Sequence, residues 1–211
     1  MARYRGPKDK LERRIGEKLF LKGERSFSPK AAMVRRPYPP GEHGKKRAKR
    51  LSEYGTQLRK KQKVRIIYRL LEKKFKRYVT EAMTSPKETT ELLVKTLESR
   101  LDNVVYRMGI GQSRDQARQL VNHGHILVNK KKVSIPSFET KRGDVIEIRE
   151  GSKKATFFAS LVPQWIEKAD RPVWVKLNTK DMIGEVIGIP TIEDSGLEHN
   201  DLQGIVEFYS R

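Results

Sequence analysis

The sequence predicts an α+β fold: a mostly helical domain with a basic, extended N-terminal segment, plus a small α/β module. Three observations predict it. Residues 1–80 hold 27 Lys/Arg against 7 Asp/Glu, the whole of the formal net charge of +20, while residues 81–211 hold 19 of each. Residues 52–82 place apolar side chains at helical spacing. Residues 113–129, SRDQARQLVNHGHILVN, read as a capped helix that stops at a glycine and runs into a strand.

Residues 1–50 are poorly suited to an independent core. Basic residues alternate with Gly and Pro around a short apolar cluster, Leu19 to Leu21, and then comes RRPYPPGEHGKKRAKR at 35–50. Pro37, Pro39 and Pro40 remove three backbone donors and fix φ, so this stretch is expected as extended chain. Extended basic chain with Tyr38 and His43 interleaved suits threading along folded RNA, where cations meet phosphates and flat side chains stack on bases. A disordered tail of the same composition is the competing reading.

Residues 52–82 are expected as a helix, with Val64, Ile67, Leu71, Phe75 and Tyr78 on one face. Lys61, Lys63, Arg65, Arg69, Lys73, Lys76 and Arg77 lie on the other. One side packs while the other faces an anion; membrane binding ranks lower, because a core face explains the stripe more simply. A second helix is expected from SPKE at 85–88, with Ser85 as N-cap, Pro86 at N1 and Glu88 closing a capping box. Leu92, Leu93, Leu97, Leu101, Val104 and Val105 form its buried face. In the opening stretch Ser113 and Gln116 make another capping box, and Gly124 fits the left-handed position after the helix. Strands follow at 126–128, 133–135 and 144–148. Residues 155–169 read as a helix that Pro163 kinks or splits, and 173–178 and 184–190 as strands.

Composition excludes several functions. Apolar residues are 36% and charged residues 34%, so much of the chain is surface. No apolar run approaches the roughly 18 residues of a membrane span, and MARYRGPKDK lacks the apolar region of a secretory signal. No cysteine is present, which removes disulfides, thiol catalysis and cysteine-based metal sites. No P-loop, dinucleotide fingerprint or HExxH occurs. The charge asymmetry points to a polyanion partner for the N-terminal part. Residues 181–211 reverse the sign, with 7 acidic residues against 1 basic, and this segment is expected to meet basic partners or the basic half of the chain. Trp165 and Trp174 are expected to be packing residues.

His123 and His125 frame Gly124 and raise three possibilities: metal ligands, an acid/base pair, or the polar end of a binding surface. Only His43 and His199 exist besides them, so a metal site lacks obvious ligands. His123 ends a helix, where the dipole favours an imidazolium. His125 points toward phosphate or into the module.

Several stretches together resemble the bacterial small-subunit ribosomal protein four family: ARYRGP at 2–7, RRPYPPGEHG at 35–44, SEYGTQLRKKQKVR at 52–65, ESRLDNVVYRMG at 98–109, SRDQARQLVNHGHILVN at 113–129 and EFYSR at 207–211. They lie in family order over nearly the full length. The resemblance implies that the small module is the α/β RNA-binding module named after the family. It implies a cytoplasmic ribosomal component that binds small-subunit ribosomal RNA early, where helices of the 5′ domain meet, and helps nucleate assembly. It further implies contact with ribosomal protein five of the small subunit, linked to decoding accuracy, and with mRNA where it enters. No enzyme activity, membrane or small-molecule substrate is implied. An RNA-modifying or aminoacylating enzyme bearing the same module would need a catalytic domain, and basic, irregular chain occupies that place. A free regulator that represses its own messenger would use the same surface.

The expected organisation is a basic RNA-binding segment at 1–50, a helical domain at 51–98 completed by 166–211, and the module at 99–165. The expected RNA contacts are Arg3, Tyr4, Arg13, Arg14, Arg35, Arg36, Tyr38, His43, Lys45, Lys46, Arg47, Lys49 and Arg50 in the first segment. Arg59, Lys61, Lys63, Arg65 and Arg69 follow in the second, and Arg100, Arg107, Arg114, Arg118, His123, Lys130, Lys131 and Lys132 in the module. Arginine forks on the module helices would position RNA rather than read its sequence.

Two departures from the family matter. Zinc-bearing members have four cysteines where this sequence reads Asp9, Glu12, Ser26 and Ala31. Those side chains do not make a tetrahedral zinc site, so no metal is expected. Packing of Leu11, Ile15, Leu19 and Phe20, and ion pairs of Asp9 or Glu12 with nearby arginines, must hold the loop instead. Where many relatives have Asn-Gly in a hairpin, this chain has Asn129-Lys130. Either a lysine adopts positive φ, at a cost of about 1 kcal/mol, or the turn is longer.

Overall fold

Structure begins where the chain supplies a helix stop and a cap. The structure, a computed structural model, describes residues 4–47 and 50–211; Arg3 and Lys49 lie outside them. Helix α1 (Lys8–Ile15) ends at Gly16, whose φ of 80° is left-handed and whose N–H returns to the Glu12 carbonyl. Short turns follow at Gly23–Ser26, α2 (Ala32–Arg35) and Glu42–Lys45. Ser52 caps α3 (Glu53–Ile67) by accepting the Gly55 N–H. Then come α4 (Glu72–Met83), α5 (Thr89–Glu98), α6 (Leu101–Arg107) and α7 (Arg114–Asn122). Strands β1 (Ile126–Val128), β2 (Lys131–Lys132) and β3 (Val145–Ile148) lead to α8 (Glu150–Lys153), a π-helical turn at Phe157–Leu161 and α9 (Pro163–Ile166). Finally β4 (Val175–Asn178), β5 (Ile183–Val186), α10 (Ile192–Ser195) and α11 (His199–Tyr209) complete the order.

The chain forms two compact units, 1–93 with 196–211, and 94–195. In the first, α11 packs along α3 and against α4, and α1 packs on α2 and α3. Ile15, Leu19, Leu21 and Ile66 bury together with Leu11 and Ile67 against them. The expected helix over 52–82 is two helices, because the chain reverses at Arg69, whose φ is 55°. No Gly or Pro marks this break. The Leu70 N–H bonds the Arg65 carbonyl at 3.0 Å, and Leu71, extended, starts α4.

In the second unit all strand pairs are antiparallel, in the order β2-β1-β3-β5-β4. Ile126, Val128, Ile146, Ile148, Val175 and Val186 point into a core shared with Leu101, Val104, Val105, Leu120, Val121 and Phe158. Trp174 is buried in the same core and Trp165 packs on it. The stretch 166–211 therefore divides: β4 and β5 extend the module's sheet beside β3, while α11 belongs with α3.

Local readings differ in instructive ways. Ser85 and Glu88 do not open a helix; α5 starts at Thr89, with Glu88 accepting from the Thr90 hydroxyl at 2.6 Å. The expected continuous apolar helix from 92 to 105 breaks at 99–100, because Thr140 N–H bonds the Ser99 carbonyl and Leu101 N–H bonds that of Phe138. The partner strand of β1 is 131–132, closer than the expected 133–135, since the turn has only two residues. Asn129 and Lys130 both have positive φ, 50° and 64°, as a type I′ turn requires. The Asn129 amide holds the lysine there: it donates to Asp144 at 2.8 Å and accepts the Val145 N–H at 2.9 Å. Pro163 splits its segment as expected, taking the first position of α9.

Candidate nucleic-acid interface

The folding of 4–47 decides which cations remain outside. Arg13, on α1, donates to the carbonyls of Arg36, Tyr38 and Pro39 at 3.2, 2.9 and 3.3 Å. It thus binds the backbone of the proline segment, whose own donors are missing. Its guanidinium also sits 4.8 Å from the Tyr38 ring centroid, and the Lys45 ammonium lies 5.6 Å from it. Arg13 is therefore half-buried and Tyr38 already has cations on its ring. The loop closes tightly: a Cβ on Gly44 would lie 1.9 Å from the Pro39 carbonyl oxygen.

Of Asp9, Glu12, Ser26 and Ala31, the first three are joined through Leu21 and Lys22. Glu12, buried, accepts the Leu21 N–H at 3.2 Å. Asp9 pairs with Lys22 at 2.8 Å, Ser26 Oγ accepts the Lys22 N–H at 3.2 Å, and Ala31 is buried. The partners are a lysine and a backbone amide, not arginines. Phe20, expected inside, is exposed.

Of the expected contacts in this segment, Tyr4, Arg14, Arg35, Arg36, His43, Lys45, Lys46, Arg47 and Arg50 are on the surface. Among the described residues the side chains of Arg14, Arg35, Arg36, Lys46, Arg47 and Arg50 make no ion pair. Arg59 is exposed, but donates to the Ile15 carbonyl at the end of α1.

The expected basic face of α3 points largely inward. Lys61 is buried, 2.7 Å from Glu72, with its ammonium 4.7 Å from the Phe208 ring. Burial opposes the Glu72 charge, but hydrogen bonds from Lys61 and Tyr209 outweigh it and hold the carboxyl below its usual value. Lys63 lies 2.7 Å from Glu17 and 2.8 Å from Asp201. Burial again opposes its charge, and these carboxylates prevail and raise its pKa. Arg65 donates to Gln62 at 2.9 Å, and Arg69, buried, donates to the Tyr4 carbonyl at 3.3 Å. These side chains hold α3, α4 and α11 together. Their acidic partners, Glu17, Glu72 and Asp201, are scattered along the sequence, so helical spacing alone does not reveal that these cations face inward.

The module arginines are likewise internal. Asp102 accepts two hydrogen bonds from Arg100, at 3.1 and 2.8 Å, and one from Arg118 at 2.9 Å. All three side chains are buried. Glu98, fully buried, takes both fork nitrogens of Arg107, at 2.8 and 2.7 Å, and the Asn103 amide at 2.8 Å. Arg114 donates to Asn103 at 2.8 Å and lies 4.5 Å from the Tyr106 ring. Arg100 and Arg118 are thus placed to hold α6 against α7, while Arg107 and Arg114 keep a partly exposed edge. Glu98 and Asp102 carry the signal, two carboxylates inside the stretch ESRLDNVVYRMG.

Of the expected contacts in this unit, Lys130, Lys131 and Lys132 at the β1–β2 tip and His123 are exposed. Lys141 and Arg142, which no motif or spacing marks, are also exposed. The helix stop forms as expected. Gly124 has φ 71°, its N–H bonds the Val121 carbonyl, and the His125 N–H bonds that of Leu120. His125 turns into the module, 2.9 Å from Ser152 and edge-on to Phe158. Burial lowers its pKa first, then the charges of His123 and Arg149. The sign follows. Above the ordinary value of 6.5 the group is neutral in both states; below it the unfolded chain binds the proton more readily. The 94–195 unit is therefore expected to lose stability on acidification from about pH 7.5 to about pH 5.5. In His125→Asn, chemical unfolding curves at these two pH values should differ less than in the parent; an equal difference would refute the assignment.

The chain thus carries two units, one with an antiparallel sheet that shares its core with α6 and α7 and one basic and helical, and its match to the S4 domain places it in an RNA-binding class of protein. Residues 3–98 match the family model of the ribosomal protein S4/S9 N-terminal domain, and 99–146 match the S4 domain. The small ribosomal subunit protein uS4 of Thermotoga petrophila is 51% identical over 100% of both chains. Those of Halothermothrix orenii and Thermus thermophilus are 50% and 47% identical, again over 100% of both. The chain belongs to the family of small ribosomal subunit protein uS4.

Proposed function

We propose that the chain binds small-subunit ribosomal RNA mainly through the exposed cations of residues 14–50, with the β1–β2 tip as a second contact. The observation that carries this is the set Arg14, Arg35, Arg36, Lys46, Arg47 and Arg50, exposed and without ion pairs among the described residues. Internal carboxylates engage the α3 and α6–α7 cations instead, so the long-range field comes from this segment. Arg13 holds it in one shape, which lowers the ordering entropy that a floppy basic tail would lose on binding. The chain acts as a structural component, an early RNA binder that nucleates assembly of the subunit body. Ribosomal protein five and mRNA are its further partners, with decoding accuracy set at the former contact.

Hydroxyl-radical footprinting of the full chain on naked small-subunit RNA tests the reading. Protection is expected at one site where several RNA helices meet, and only there. Protection spread evenly along the RNA, or none, would overturn it.

A further inference from the structure

We propose that Phe20 and Phe27 form a preorganised platform on which an unpaired base of ribosomal RNA stacks; this rests on the RNA-binding reading above and assigns it a specific contact. The two rings stack on each other, with centroids 5.1 Å apart and planes at 26°. Phe20 is 44% exposed and Phe27 75%. Neither joins the apolar cluster beneath, formed by Ile15, Leu19, Leu21 and Ile66. They are therefore not core residues that happen to reach the surface.

The backbone is bent to put them there. Phe20 has φ 52°, an outlying conformation for a bulky residue. Strain of this kind persists only where surroundings enforce it, and it gathers at binding sites. Here the surroundings are specific. Leu19 and Leu21 are buried on either side, so the left-handed turn at Phe20 drives its ring outward. The Glu12 carboxylate fixes the Leu21 N–H, Asp9 fixes the Lys22 ammonium, and Ser26 fixes the Lys22 N–H. Phe27 follows directly, its N–H bonded to the Glu24 carbonyl at 3.0 Å. The whole loop from 19 to 27 is thus pinned with two aromatic rings facing water.

Charge selects the occupant. Lys18, Arg25 and Lys30 flank the rings in sequence, are exposed, and make no ion pair among the described residues. Of the nearby acids, Glu17 is engaged by Lys63 at 2.7 Å, and exposed Glu24 is outnumbered by the three cations. An aromatic surface carried on a basic loop fits a base that stacks while its neighbouring phosphates meet the cations. A protein's apolar patch would instead have to desolvate those cations without pairing them.

The test uses the full chain and naked small-subunit RNA, with Phe27→Ala and Phe27→Tyr. Phe27 is on the surface, so both variants should unfold at the parent temperature. Phe27→Ala is expected to bind about tenfold more weakly, Phe27→Tyr as tightly as the parent. Ultraviolet cross-linking should leave a nucleotide adduct on Phe20 or Phe27 in the parent complex. Parent-like affinity in Phe27→Ala, or equal losses in both variants, would overturn the platform. A loss seen only when other ribosomal proteins are present would assign the rings to a protein and overturn it as well. If the parent chain itself failed to bind naked RNA, the underlying reading would fall, and the platform with it; that outcome is distinct from a binding parent with an indifferent Phe27→Ala.

Discussion

Asp102→Ala is expected to destabilise the 94–195 unit by about 3–5 kcal/mol, because it leaves two buried guanidinium groups without their shared carboxylate. Arg100 and Arg118 both donate to that group, and both are buried. Coulomb attraction alone does not make the triad favourable, since desolvating three charges offsets much of it. Losing one member is what costs, and a replacement in step should cost far less. The triple variant Arg100→Met, Asp102→Leu, Arg118→Met is therefore expected near the parent stability. Both tryptophans of the chain, Trp165 and Trp174, lie in this unit. Their fluorescence during guanidinium unfolding thus reports it alone. A loss of only about 0.5 kcal/mol in Asp102→Ala, the scale of surface changes, would show that the triad is not structural.

Replacing Arg35, Arg36 and Arg47 together by Gln is expected to flatten the salt dependence of RNA binding by about 2 to 3 in log–log slope, at roughly 0.7–0.9 per lost phosphate contact. These residues are exposed and make no ion pair among the described residues, so folding should be untouched. Arg114→Gln with Arg118→Gln should behave otherwise. Affinity would fall only as far as the module unfolds, and the slope per folded molecule would stay near that of the parent. Titrations across a range of salt, with the folded fraction measured alongside, separate the two. An unchanged slope in the first variant, with a flattened slope in the second, would move the main footprint from the N-terminal segment to the module.

Much of this was written in the sequence, and the failures share a cause. The helix–Gly124–strand edge was legible because Ser113, Gly124 and Ile126 act through their immediate neighbours. The charge asymmetry was legible because it is a sum. The direction of a charged side chain is not local. Lys61 and Lys63 sit on an amphipathic helix and read alike whether they face solvent or the carboxylates of Glu72 and Asp201. The reversal at Arg69 had no glycine to announce it; buried neighbours on both sides enforce it. Phe20 was expected to pack with Leu11, Ile15 and Leu19, yet the left-handed turn between Leu19 and Leu21 sends it out. Tyr38 looked like a free stacking ring, and only the fold reveals that Arg13 already lies over it.

The division of the chain also has a consequence for its synthesis. Residues 94–195 form one unbroken stretch, whereas the other unit needs α11, made more than a hundred residues after α3 and α4. The Lys61 ammonium reaches its full surroundings only when Phe208 and Tyr209 arrive, and Glu53 its partner only with Arg211. On a translating ribosome the later-made middle of the chain can therefore finish folding first, while the basic N-terminal half waits, incompletely closed, for the last helix to emerge. With so many cations, the chain is expected to meet nucleic acid in that interval, before its own fold is complete.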